Sequence, residues 1–530
     1  MYNRELDLIL LIQMIKRLIP LIYICLTLSC VPKKEEQINL IDLLPHNTSL
    51  VAQINDGELL KTSTVVSKFF SLNSNLKNTI QNIIPEKSAS AQIVFITPVG
   101  KNENVVGVIF KKSPADSVIN YKKSIQYSGK TIGLEQKGGQ TFYSVFLGDV
   151  KMISESQLIV ENGIRNFKNE KRGINSGTFY NLADSMDQDL AVNFLIHPSS
   201  IPLTRQFFPN TPLFPNTGRD WIELSLEVSE SEVNLNGVAF LNDSIPDGLS
   251  LIKNIKPQKL SLTEIVPDNF TSYLGFPINN IEQLESNFKG LSRRINLAVK
   301  NTNLSALKSL REIAWIEAGG DASLVFGIND LKENFPDFLS SIQEPKKFRQ
   351  FSYHRLALPE NLKALLGVFT NKIDPKWGCW HENLLIMSET ESGLKNILGN
   401  YLDRNSIESN PSFKSLMKKL ADENSFLWIG KPKNLLKSWE QNNALADIKN
   451  LVDEEYPFAA FQGVAEEDFS HLHFNLQKNI PSAKQGGAKN VYTLELNSGV
   501  ENPPQWFKNH RNKGKDVVVQ DKDNVLYLFS

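Results

Sequence analysis

The feature that most constrains this chain is a long-range match to itself. Residues 154–198 lie on 388–432 without a gap, at a constant offset of 234. Ser154-Glu155 meets Ser388-Glu389, Asn162 meets Asn396, Asn166 meets Asn400, Phe179 meets Phe413, Leu182 meets Leu416 and Pro198 meets Pro432. The substitutions between them keep size and polarity: Val160/Leu394, Ile164/Leu398, Phe167/Tyr401, Phe194/Trp428 and Leu195/Ile429. In both segments the apolar residues recur at i, i+4 and i+7, which draws a stripe along one side of a helix. Leu44-Pro45-His46-Asn47 likewise precedes Val266-Pro267-Asp268-Asn269 by 222 residues. A sequence arranged this way is expected to build one architecture twice.

Strand signals fill the spaces between these matches. Gln92 to Thr97 and Val105 to Phe110 flank a turn at Gly100, while Ile313 to Glu317 and Ser323 to Phe326 flank Gly319-Gly320. Trp221 to Val228 alternates and returns through Val233, Leu235 and Gly237; Phe458 to Val464 and Phe469 to Leu476 form a similar pair. Period-two alternation predicts a sheet with one packed and one wet face. The expected fold class is therefore α+β: two tandem repeats of antiparallel sheet with helices packed on one face, over residues 40–255 and 256–480. Residues 481–490 read as a Gly- and Lys-containing linker, and 491–530 as a short C-terminal β segment.

The N-terminus carries an address. Lys16-Arg17 precede an apolar run from Leu18 to Leu28, which ends at Ser29-Cys30. This is the layout of a secretory signal, and the run is far short of the roughly 20 residues that cross a bilayer as a helix. Met14 is an alternative start that would give a more compact signal. Thr27-Leu28-Ser29-Cys30 resembles the lipobox of bacterial lipoproteins, although Thr27 and Leu28 depart from its usual residues. The resemblance implies cleavage after residue 29, acylation of Cys30 by diacylglycerol and fatty acid such as palmitate, and a polar tether over residues 30–39.

Composition narrows what such a protein does. With 57 Lys+Arg against 58 Asp+Glu in 530 residues, there is no basic field for nucleic acid, and no nucleic-acid partner is expected. Of three cysteines, only Cys379 would stay free after processing, which reads as a buried small hydrophobe between Trp377 and Trp380. His471-Leu472-His473 puts two rings on one strand face, but no third ligand is placed, so no metal site is expected. Asp521-Lys522-Asp523-Asn524 reads as a polar turn instead of a calcium loop. No nucleophile elbow, zinc-protease helix, phosphate loop or cofactor fingerprint is present. Catalytic residues and cofactors are accordingly none. Asp116-Ser117-Val118, Asp184-Ser185-Met186 and Asp243-Ser244-Ile245 match the short O-glycosylation pattern of Bacteroidota-type envelope proteins, making Ser117, Ser185 and Ser244 candidate acceptors.

Cys30, the twice-used Leu-Pro-x-Asn-type opening and the segment Met387-Ser388-Glu389 through Phe413 together resemble a family of uncharacterised Bacteroidota-type envelope lipoproteins. In longer members a quinoprotein-like β-propeller follows the repeats, and Pro504 to Leu528 looks like the lead-in to its first blade. The resemblance implies an outer-membrane lipoprotein of the cell envelope, anchored through Cys30, with a non-catalytic binding or scaffolding role toward envelope proteins or extracellular polymers. An envelope hydrolase whose site assembles only in three dimensions, or a fragment of a larger propeller protein, are the alternatives.

Overall fold

The computed structural model describes residues 38–55, 82–83, 91–100, 103–112, 121, 123–169, 173–197, 220–229, 232–241, 249–294, 308–329, 345–356, 358, 363, 373–432, 456–478, 496, 498–500, 502–509 and 515–529. Cys30, Ser117 and Ser244, the signal segment and the 481–490 linker lie outside them.

Most of the described chain is antiparallel sheet, and 20 strands join in one. The first ten are β1 (Leu50–Ile54), β2 (Gln92–Val99), β3 (Glu103–Lys111), β4 (Ser124–Tyr127), β5 (Lys130–Lys137), β6 (Gln140–Leu147), β7 (Val150–Ser154), β8 (Val192–Ile196), β9 (Ile222–Val228) and β10 (Glu232–Phe240). The next ten are β11 (Phe270–Pro277), β12 (Leu310–Ala318), β13 (Asp321–Ile328), β14 (Lys346–Phe348), β15 (Phe351–Arg355), β16 (Trp377–His381), β17 (Leu384–Ser388), β18 (Phe426–Gly430), β19 (Phe458–Ala465) and β20 (Phe469–Gln477). Their pairings give the order 4-5-6-7-3-2-1-8-9-10-20-19-18-11-12-13-17-16-15-14. Strands β10 and β20 meet at the centre, from Glu232↔Gln477 to Phe240↔Phe469. Two-residue turns close the β5–β6 and β12–β13 hairpins. Gly138, Gly139, Gly319 and Gly320 take positive φ there, as turns matching the strand twist require.

Among the described residues five α-helices accompany the sheet: α1 (Gln157–Asn169), α2 (Gly177–Ser185), α3 (Ile281–Arg294), α4 (Glu391–Leu402) and α5 (Pro411–Met417). Local chemistry fixes where three of them start. Ser176 Oγ accepts from Phe179 N ahead of α2, Thr390 Oγ1 from Gly393 N ahead of α4, and Asn410 caps α5 just before Pro411. The stripes expected from sequence are the buried sides of α1 (Val160, Ile164) and α4 (Leu394, Leu398).

The expectation of one packed and one wet face needs correction, as does that of helices on one face only. Helices α1 and α2 pack on Val51, Phe95, Met152 and Leu195, and α4 and α5 on Tyr273, Val325, Ile386 and Leu427. Helix α3 instead covers the opposite face, placing Leu284, Phe288 and Leu291 against Leu274, Leu324, Met387 and Trp428. The cause lies in the inner strands, whose residues are apolar on both sides: seven of the eight positions of β11 are buried. Such runs need cover on both faces. Alternation survives at the rim, where β4 is exposed at every other position.

Residues 505–529 form a second sheet of three strands, β21 (Gln505–Lys508), β22 (Lys515–Gln520) and β23 (Leu526–Phe529). Buried Asp521 organises its polar turn, accepting from the backbone N–H of Asp523 and Val525 and from Tyr527 Oη at 2.9 Å.

Candidate functional site

The helix-covered face changes character at its centre. Away from the middle it is apolar, but where β10 meets β20 the side chains are amides and imidazoles. Read across neighbouring strands, Gln53, Asn193, Ser225, Asn236, His473 and Gln462 stand in one row over β1, β8, β9, β10, β20 and β19. Six adjacent strands thus carry a hydrogen-bonding side chain at the same level, between two hydrophobic clusters.

The ends of the row are roofed and its middle is half-buried. At one end Asn193 Nδ2 donates to Asp187 O at 2.7 Å, and Gln53 Nε2 donates to Gln188 Oε1 at 2.6 Å. At the other, Gln462 Nε2 donates to Ala421 O at 2.7 Å and Gln462 Oε1 accepts from Ala421 N at 3.0 Å. Asp187 and Ala421 sit 234 residues apart, at matching places in the two loops. In the middle, His473 Nδ1 lies 2.9 Å from Asn236 Oδ1, so Nδ1 carries the proton and Nε2 is the acceptor. Burial, with His471 beside it, pushes the His473 imidazole below its ordinary range. His471 is exposed, and the two rings are 6.4 Å apart between centroids.

Glu223 is buried next to this row. Ser225 Oγ lies 2.6 Å from Glu223 Oε1 and 2.7 Å from Asn193 Oδ1, yet a hydroxyl has one proton to give. Burial raises the Glu223 carboxyl, against the lowering effect of the Ser225 bond. A neutral Glu223 resolves the shortage by donating to Ser225, which then donates to Asn193. Elsewhere a buried Glu312 accepts from Ser261 N, Ser261 Oγ and Leu262 N, pinning the turn before β11.

The sequence-predicted residues are scattered relative to this row. His471 and His473 share a face as expected, but only His471 is solvated. Among the described residues no three His, Cys, Asp or Glu side chains are grouped to hold a metal ion. Cys379 is buried with its thiol pushed up to about 12 by desolvation, which leaves it unreactive. Ser185 is exposed on the last turn of α2, its Oγ donating to Leu182 O at 2.8 Å. Sequence reading missed Gln53, Asn193, Ser225, Asn236 and Gln462. A signal existed: the strand faces Asn234/Asn236 and His471/His473/Asn475/Gln477 carry amides and imidazoles and no Lys or Arg, unlike an ordinary wet face.

No protein-family model matches this chain. No curated protein matches it either. Two solved structures of TP0453 align with it. Crystal form I does so at 9% identity and a TM-score of 0.25, over 42% of this chain and 89% of that one. Crystal form III aligns at 12% identity and 0.25, over 43% and 91%. Likeness of that size carries no argument about fold or function.

Proposed function

We propose that this is a lipid-anchored envelope protein with a non-catalytic binding role, held at the outer membrane through Cys30, as the resemblance to Bacteroidota-type envelope lipoproteins implies. In this reading the body is a duplicated α+β unit, the copies meeting at β10 and β20. Its ligands are envelope proteins or extracellular polymers. The observation that carries the binding role is the polar row over six strands, broad and continuous across the central strand pair. Its groups hydrogen-bond to one another and to the roofing loops, which suits recognition through preset donors and acceptors.

The anchor is tested by growing the native host with an alkyne analogue of palmitate. The full chain should take up label, and Cys30→Ala should take up none. Label persisting in that variant would remove the lipoprotein reading. Intact-mass analysis of the same preparations reads glycosylation at Ser117, Ser185 and Ser244 as hexose-sized increments.

A further inference from the structure

Exposed apolar side chains gather on the small sheet. Six of the eight large apolar side chains left exposed among the described residues lie between Val500 and Leu528. Strand β23 is the extreme case. Its residues Leu526-Tyr527-Leu528-Phe529 include no charge and no proline, with Leu526 69% exposed and Leu528 63%. Among the described residues β23 pairs with β22 alone. In that register Asp521 N donates to Val525 O at 3.1 Å, which turns the backbone of Val525, and by alternation of Tyr527 and Phe529, toward β22. The N–H and C=O groups of Leu526 and Leu528 therefore point outward, away from the sheet. An edge of this kind is ordinarily guarded by charge, proline or cover. Other outer strands follow that rule: β14, at one end of the large sheet, exposes Lys346 and Lys347, and β21 stands between Pro503-Pro504 and Lys508. Strand β23 has no such guard.

We infer that β23 is an interface strand, pairing antiparallel with β23 of a second copy of this chain and joining two three-stranded sheets into one. A two-fold contact requires that if one residue meets another, the second meets the first. An axis through Tyr527 satisfies this: Tyr527 meets Tyr527 of the second copy, Leu526 meets Leu528, and Val525 meets Phe529. The register also keeps both alternations of a strand. Residues that meet share a face, so the leucines of the two copies lie together. The outward backbone groups of Leu526 and Leu528 face one another, and each such pair exchanges two hydrogen bonds. Lipid is a poorer occupant, because hydrocarbon offers no partner to an open sheet edge. An unrelated strand would need the same alternation to set leucine against leucine, whereas a second copy has it by construction. Strands this short bury far less than the about 800 Å² per partner of a standard stable complex, so the dimer is concentration-dependent.

The test is disulfide trapping in the full chain, purified in detergent, with the parent as the background. Across the axis Tyr527 forms a non-hydrogen-bonded pair, whose Cα atoms stand about 4.5 Å apart, within disulfide reach. Under mild oxidation Tyr527→Cys should trap about tenfold more covalent dimer than Leu526→Cys, whose two copies lie out of register with each other. Mixing Leu526→Cys with Leu528→Cys, both at exposed sites where folding is not at stake, should trap a dimer that neither variant gives alone. Buried Cys379, its thiol pushed up to about 12, does not compete. Sedimentation equilibrium of the parent should show a dimer that dissociates on dilution, and Leu526→Lys should stay monomeric. The inference falls if the parent is monomeric at every concentration, if the mixture traps no more than its components, or if all three thiols cross-link alike, as chance encounters in a micelle would. None of these readouts depends on the Cys30 label, so the anchor and the interface can fail separately.

Discussion

At the scale of single residues, the central face sets two groups against each other in pH. Glu223 has its pKa raised by burial above 4.5, so its contribution to stability is fully present below that pH and is lost as pH rises through the higher folded value. Glu223→Gln keeps a donor toward Ser225 and removes the titration. Chemical denaturation should find this variant at least as stable as the parent at pH 7, with a flatter dependence of stability on pH above 4.5. A variant less stable at pH 7 would remove the neutral-carboxyl account. His473 works in the opposite sense. Its folded pKa is depressed below 6.5, so its contribution holds above that value and is lost as pH falls through the folded one. Acidification below 6.5 should therefore weaken the centre, and His473→Gln should abolish that part of the pH dependence. The sequence singles out His473 but not its partial burial, and it does not single out Glu223 at all. Glu223 looks like an ordinary exposed position of an alternating strand, and its burial comes from packing that the strand's own pattern does not encode.

At the scale of elements, what the sequence revealed is what local periodicity encodes. The helices α1 and α4, their preceding strands β7 and β17, and the hairpins β2–β3, β12–β13 and β19–β20 were all readable from apolar spacing and turn residues. Strands β4 to β6 and β14 to β16 were harder, because they are rim strands with mixed polarity, such as the exposed Lys346-Lys347. Which face a helix covers is not a local property at all. It follows from both sides of β11 to β13 being apolar, which became visible only with α3 in place. The caps give a direct check. Ser176→Ala removes the side-chain acceptor for Phe179 N and should cost about 1 kcal/mol of stability, read by urea denaturation. Gly237→Val is expected to be far worse, above about 3 kcal/mol, because any Cβ there collides with the Glu223 backbone carbonyl on β9. If Gly237→Val melted like the parent, the β9–β10 register would have to differ from Gly237↔Leu224.

At the scale of the molecule, the two halves of the sheet should unfold together. The sequence divides the chain at residues 255 and 256, as though two units were strung side by side. The packing cuts across that division: Leu251, Ile252 and Ile255 sit in the core with Leu274, Phe276 and Trp428. The β10–β20 pairing runs from Glu232↔Gln477 to Phe240↔Phe469. Behind it, Leu224, Phe474 and Leu476 pack against apolar clusters of both halves. Burial shared in this way couples the halves, since unfolding one strips cover from the other. Two tryptophans report on the two sides: Trp221 against Phe179, and Trp428 with its Nε1 donating to Ser272 Oγ at 2.8 Å. With fluorotryptophan in place, both resonances should collapse at one urea concentration. Replacing Leu235 and Phe474, which face each other across the pair, by Ala should separate the two midpoints. Two midpoints in the parent would mean that the halves are independent domains and that the polar row spans a joint rather than a single rigid sheet.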